Sequence, residues 1–217
     1  MTTIKHNQFP RFHTIQHPLV YHKLAMLRKS DTNSTFFRSL VHEITLLLGF
    51  EATKHLLVQS IDIETPLEKC QASILTKPEP VILPILRAGN GMVNALLTLM
   101  PMASVGHIGL YRNEDTKLPH EYYFNIPAQV EERPFFVCDP MLATAGSATA
   151  AISLLKKHNI HNITFICIVA SPEGLRAFYQ AHPDVPIYAA SLDRGLNEKA
   201  YVVPGLGDAG DRLFGTV

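Results

Sequence analysis

The sequence predicts an α/β fold, a parallel sheet flanked by helices, and three observations carry that expectation. Several short segments are apolar throughout: "PVILP", "PFFVC", "ITFICIVA" and "PIYAASL". A sheet with one face in water would alternate apolar and polar residues, whereas these strands suit a sheet covered on both faces. Segments with helical spacing, about 10–13 residues long, stand between them, the alternation of a doubly covered sheet. The chain has 217 residues, 47% of them hydrophobic and 18% charged, enough apolar surface for a sizeable core.

The elements follow in order. "HPLVYHKLAMLRK" (17–29) and "NSTFFRSLVHEITLLLGFEATKHL" (33–56) repeat apolar residues at helical spacing, and Asn33 or Ser34 suits the cap of the second helix. "LVQSIDIETPLEKCQASIL" reads as one or two short strands broken at Pro66. From there strands and helices alternate: "PVILP" strand, "GMVNALLTLM" helix, "SVGHIGLYR" strand, "PFFVC" strand, "SATAAISLLKKHN" helix, "ITFICIVA" strand, "PEGLRAFYQAH" helix, "PIYAASL" strand. Residues 111–134 are the exception, polar, proline-broken and too long for an ordinary connection. Such a stretch is either a mobile surface insertion or a flap over a site, with "EYYFNI" as one arm of a hairpin.

Lys+Arg and Asp+Glu are equal at 19 each, so the net charge is zero. That argues against a broad nucleic-acid or anionic-membrane surface, though not against a small positive pocket. No apolar run approaches the roughly 20 residues of a membrane span. The polar start "MTTIKHNQFPRFHTIQHP" has no signal-peptide character. Cys70, Cys138 and Cys167 are widely spaced, without the pattern of a zinc site or a disulfide framework. Cys138 and Cys167 fall in apolar runs and read as buried thiols of a cytoplasmic protein.

In an open parallel sheet, ligands bind beyond the carboxyl ends of the strands. Three segments leave such ends with unusual residues. In "PILRAGNG", Arg87 sits in a glycine-flanked loop and suits either a phosphate or a surface ion pair. In "CDPMLATAGS", an apolar strand stops at Asp139 and passes through small residues into a helix. Free N–H groups at a helix start, with the Thr144 and Ser147 hydroxyls, make an anion cradle. A carboxylate there repels phosphate but would accept hydroxyls, and a sugar phosphate satisfies both. Taken alone, the segment is equally a capped turn packed with small side chains. The third segment, "VVPGLGDAGDRLFG", contains a formal G-x-G-x-x-G, yet no further helix, strand and acid follow as a dinucleotide site requires. It reads instead as a glycine-rich loop whose backbone could meet the edge of a small planar ring, with Asp208 and Asp211 as its acids.

Together these segments closely resemble the uracil phosphoribosyltransferase family. "HPLVYHKLAMLR", "PILRAGNGM", "LYRNEDT", "CDPMLATAGS", "SPEG", "AHPDV" and "LNEKAYVVPGLGDAGDRLFGT" occur in the family's order, from about His17 to Thr216. The resemblance implies transfer of phosphoribosyl from phosphoribosyl pyrophosphate (PRPP) to uracil, giving UMP and pyrophosphate in pyrimidine salvage. It implies a type I phosphoribosyltransferase-like core at about 70–192, a small hood at about 193–217 and a long flexible β-arm at about 111–134, all in one domain spanning 1–217. Carried over residue by residue, Arg87 and Arg112 would meet pyrophosphate. Asp139, Pro140, Met141, Leu142, Ala143, Thr144, Ala145, Gly146 and Ser147 would hold the ribose and 5-phosphate. Val202, Gly207, Asp208 and Ala209 would hold uracil, Asp208 also facing the donor and standing as the candidate general base. Mg²⁺ would arrive on the pyrophosphate of PRPP with no direct protein ligand assigned. The resemblance further implies a homodimer or higher homo-oligomer and, as in some members, activation by GTP, with no nucleic acid or membrane partner.

Two positions depart from the family's pattern. Ala145 stands where the family usually has glycine, and Asn90 where it often has an apolar residue. If Ala145 has positive φ, alanine costs roughly 1–2 kcal/mol there.

Overall fold

The protein's structure is a computed structural model describing residues 2–76, 78–112 and 119–216. The chain opens with an antiparallel pair, β1 (Thr2–His6) and β2 (Phe9–Gln16), then helices α1 (Pro18–Arg28) and α2 (Ser34–Ala52). The Asn33 side chain caps α2 by accepting from the Phe36 N–H at 2.9 Å. A hairpin of β3 (Val58–Glu64) and β4 (Lys69–Leu75) turns at Pro66, and its strands pair only with each other. The alternating part follows: β5 (Val81–Leu86), α3 (Asn90–Leu99), β6 (Ser104–Val105), β7 (His107–Arg112), β8 (Pro119–Asn125), β9 (Phe135–Cys138), β10 (Met141–Leu142), α4 (Gly146–Lys157), β11 (Ile163–Ala170), α5 (Pro172–Ala181) and β12 (Ile187–Leu192). A two-stranded piece, β13 (Gly195–Leu196) with β14 (Val202–Val203), and the short helix α6 (Ala209–Phe214) end it.

The main sheet runs β1-β2-β12-β11-β9-β5-β7-β8. Its six central strands are parallel, and an antiparallel strand closes each edge. The expected "SVGHIGLYR" strand is split at Gly106 into β6 and β7, both on β5. "EYYFNI" forms most of β8, paired antiparallel with β7. The N-terminal strands were not legible: "TTIKH" and "FPRFHTIQ" carry too many polar residues to match a doubly buried strand. They form the end of the sheet, β1 as its edge and β2 beside it, where only part of each face needs to be apolar.

Strands buried on both faces feed two cores. In β9, Phe135 and Val137 join one cluster with α4 and α5, while Phe136 and Cys138 join the other with α1, α2 and α3. That is the two-residue period of a strand read from both sides. Cys138 and Cys167 are free and buried, and loss of hydration pushes both thiols well above their usual range. Among the described residues no helix is long and apolar enough to cross a membrane.

In chain order the five strands of the helix-linked core (β5, β7, β9, β11, β12) are arranged 2-1-3-4-5. The order reverses between β5 and β9, and a crevice opens beyond the carboxyl ends of strands at such a switch point.

Candidate active site

The two strands at the switch point deliver the first two residues of the site. β5 ends at Leu86 and presents Arg87; β9 ends at Cys138 and presents Asp139. They line one open cleft of about 250 Å³ together with Ala88, Met141, Ala143, Asp208, Ala209 and Gly210. All three segments that the sequence singled out therefore meet in one place.

Within 139–147, burial sorts the residues. Pro140, Leu142 and Ala145 are buried packing residues, Asp139, Met141, Ala143 and Gly146 are half-buried, and Thr144 and Ser147 are exposed. The loop is held from below by the start of α5. The Ser171 hydroxyl donates to the Ala143 carbonyl at 2.6 Å, and the Ser171 N–H donates to the Leu142 carbonyl at 3.0 Å. Ser171 also caps α5 by accepting from the Gly174 N–H at 2.9 Å. Gly174 is required by close approach, since a Cβ there would stand 2.2 Å from the Ala143 carbonyl oxygen. The N–H groups of 144–147 have no backbone acceptor among the described residues, the ordinary state of a helix start, where the peptide dipoles favour negative charge.

Ala145 caps α4 with φ +65° and ψ +5°, the left-handed conformation that favours glycine. Its side chain belongs to the buried cluster under α4 and is not among the residues lining the cleft. Burial pushes the Asp139 carboxyl up to about 7, against a weak opposing bond from the Met141 N–H at 3.4 Å. A carboxyl that keeps its proton near neutrality does not repel an approaching phosphate.

Of the two readings the sequence left for Arg87, the ion pair is present, and it stands at the cleft. Its exposed guanidinium lines the cleft and pairs with Asp211 at 3.3 Å. Asp211 also accepts from the Thr216 hydroxyl at 2.6 Å, and Thr216 then Arg87 hold its carboxyl below the usual range. Asp208 caps α6, its carboxylate accepting from the Asp211 N–H at 3.0 Å. Arg112 ends β7, and its side chain lies outside the described residues. Gly207 is exposed at φ +70°, Ala209 is buried at the cleft wall, and Val202 is buried in β14; neither Val202 nor Gly207 is among the lining residues.

Sequence reasoning missed the residues that hold the third loop. A Cβ on Gly205, at φ +63°, would stand 2.0 Å from the Val202 carbonyl oxygen. Arg28, Asp193 and Arg212 bond to the backbone of 205 and 206. The signal for Asp193 was present: "PIYAASLD" ends an apolar strand on an acid, just as "PFFVCD" does. Among the described residues no cluster of three or more His, Cys, Asp or Glu could hold a metal.

Comparison with known proteins agrees with this geometry. The family model for uracil phosphoribosyltransferase matches residues 14–216. A uracil phosphoribosyltransferase of Streptococcus mutans is 54% identical over 206 residues, 95% of this chain and 99% of that protein. One from Anoxybacillus flavithermus is also 54% identical with the same coverage. Among solved structures, an Aquifex aeolicus protein superposes with a TM-score of 0.88 at 34% identity, covering 94% of this chain and 97% of its own. Adenine phosphoribosyl transferase from Trypanosoma brucei, at 12% identity and a TM-score of 0.61 over 92% of this chain and 90% of its own, shares the fold. With a type I phosphoribosyltransferase sheet and a family match from the second strand to the last helix, this chain belongs to the uracil phosphoribosyltransferase family.

Proposed function

We propose that the cleft at the switch point transfers the phosphoribosyl group of PRPP to uracil. One observation carries the reading: a cation (Arg87), the small-residue segment from Asp139 into a helix start, and the third loop at 208–210 converge on the same cleft. The 5-phosphate would sit on the free N–H groups and hydroxyls of 144–147, and the ribose hydroxyls on Asp139. Arg87 would leave Asp211 for the pyrophosphate, exchanging an exposed ion pair of small worth for a charge-assisted one.

In the reaction, the bond from the anomeric carbon to the pyrophosphate oxygen breaks. A bond to N1 of uracil forms, and the N1 proton leaves. Asp208 is the proposed acceptor, since its carboxylate lines the cleft. Asp208 is the cleft acid that fits a magnesium ion bringing most of its oxygen ligands with the donor, and Asp139 would join it only on losing its proton. When bound, that ion would neutralise charge on the departing pyrophosphate. The backbone of 207–209 would meet the uracil edge, so cytosine would leave polar groups mismatched. Closure of the arm carrying β8 would exclude water that otherwise hydrolyses the activated sugar.

The free, buried thiols support a cytoplasmic setting. Exposed apolar residues on and beside the β3–β4 hairpin support a homo-oligomer: Leu67 is 94% exposed, Met102 75% and Leu57 73%. GTP activation is carried by the resemblance alone. The decisive assay mixes the protein with Mg²⁺, PRPP and each of uracil, cytosine and hypoxanthine. UMP from uracil alone is expected; no nucleotide from any base would sink the reading.

A further inference from the structure

The third loop is held by a buried ion pair that touches no part of the cleft. Asp193 follows β12, and its side chain is 1% exposed. Arg28, the last residue of α1, reaches it with both terminal nitrogens: Nη1 donates to Oδ2 at 2.8 Å and Nη2 to Oδ1 at 2.5 Å. Ser191 Oγ donates to Oδ1 at 2.7 Å and receives Arg28 Nη2 at 3.2 Å. The same pair grips both peptide groups of Gly205. Asp193 Oδ2 accepts the Gly205 N–H at 2.9 Å, and Arg28 Nη1 donates to the Gly205 carbonyl at 2.8 Å. The next carbonyl, of Leu206, is held by Arg212 Nη1 at 2.8 Å. The chain then passes directly into Gly207, Asp208 and Ala209.

A buried ion pair is weak evidence for stability, because desolvation offsets most of its attraction. Its sharper property is geometric. A planar fork and a carboxylate locked face to face leave one position for whatever they bond jointly. Here that object is one residue, Gly205, held through the two successive peptide groups that flank it, three positions before Asp208 at the cleft. A loop so fixed presents its own donors and acceptors without reorganising, and misplacement by about 1 Å can cost about a hundredfold.

We infer that Arg28 and Asp193 are positioning residues for base recognition: by holding both peptide groups of Gly205, they set where the backbone of 207–209 stands and which base edge the cleft accepts. The inference rests on the uracil reading of that loop. It assigns a role to two residues outside the loop, which would act without touching either substrate.

Steady-state kinetics of the full-length protein test it, with KM measured separately for uracil and PRPP and turnover compared for uracil and cytosine. Asp193→Asn keeps the shape but turns a donor toward the Gly205 N–H or toward Arg28. It should raise the uracil KM by about 10–100-fold, leave the PRPP KM within about threefold, and narrow the uracil-to-cytosine ratio. Arg28→Lys, which keeps charge but cannot serve carboxylate and carbonyl together, should give an intermediate uracil KM. Ser191→Ala should give a rise of about two- to fivefold and carries the same split if the other variants fail to fold. Parallel changes in both KM values, or none, would overturn the positioning role while wild-type UMP formation leaves the cleft assignment standing. A wild-type protein that makes no UMP from uracil would remove both.

Discussion

At the scale of single residues, Ala145 and Asp139 are two positions in the site where local chemistry is unfavourable. Ala145 has φ +65°, so its methyl costs roughly 1–2 kcal/mol of backbone strain. The same methyl is buried in the core, worth about 0.8 kcal/mol, and glycine would add unfolded-state entropy of about 0.5–1 kcal/mol. These nearly cancel. The strain is also present before any ligand arrives, so it drops out of binding. Ala145→Gly should therefore leave the melting temperature within about 3 °C and the PRPP KM within about twofold, while Ala145→Val, β-branched at positive φ, should lose about 2 kcal/mol or more in denaturant unfolding. A tenfold gain in PRPP affinity for the glycine variant would show that the methyl acts on the phosphate directly. Asp139 holds its proton up to about 7 when folded, against 3.8 ordinarily. Between those values the folded chain binds a proton the unfolded chain has lost, so stability falls as pH rises through that window. Asp139→Asn should thus nearly match wild type in thermal melts near pH 4 and exceed it by about 4 kcal/mol at pH 8. Activity should fall with it, because the amide cannot become the carboxylate proposed to take the ribose hydroxyls. Both residues were legible as oddities in the sequence. The sign of φ and the depth of burial were not, because each depends on neighbours more than 20 positions away, such as Ser171 and Ile166.

At the scale of elements, the 139–147 segment shows how one segment is shaped by another. Small residues between β9 and α4 only permit a close anion. What ties down the carbonyl of Ala143 is the start of α5, through the Ser171 hydroxyl and the close approach of Gly174. Ser171→Ala removes a cap and a 2.6 Å bond to Ala143, which should cost about 1–2 kcal/mol in denaturant unfolding. The PRPP KM should rise by about three- to tenfold with little change for uracil, the mirror of the split expected at Asp193; an unchanged PRPP KM would count against the cradle. The S-P-E-G sequence marks a helix start plainly, yet nothing local says which carbonyls its serine will hold. The same limit explains the N-terminal pair. Helices and central strands follow periodicities that survive out of context, whereas β2 owes its place to pairing with β12, and β1 its place to pairing with β2.

At the scale of the whole molecule, the sequence's alternation of strands and helices specified a doubly covered parallel sheet. It could not specify the 2-1-3-4-5 order, which is settled by which helices share each core. That order is what brings Arg87 and Asp139 together, from loops 52 residues apart. The hairpin of β3 and β4 stands apart from this plan, since none of its residues joins either core. If a second copy covers it, stability depends on concentration. A hundredfold dilution should then remove about 2.7 kcal/mol and lower the melting temperature by about 5–10 °C; a melt independent of concentration would argue for a monomer. A two-stranded ribbon alone is barely stable in water, so a newly made chain would finish its sheet first and hold its hairpin only loosely. Backbone amides of 58–75 would exchange quickly with solvent until another copy arrived. For this chain, the last step of folding would be a meeting.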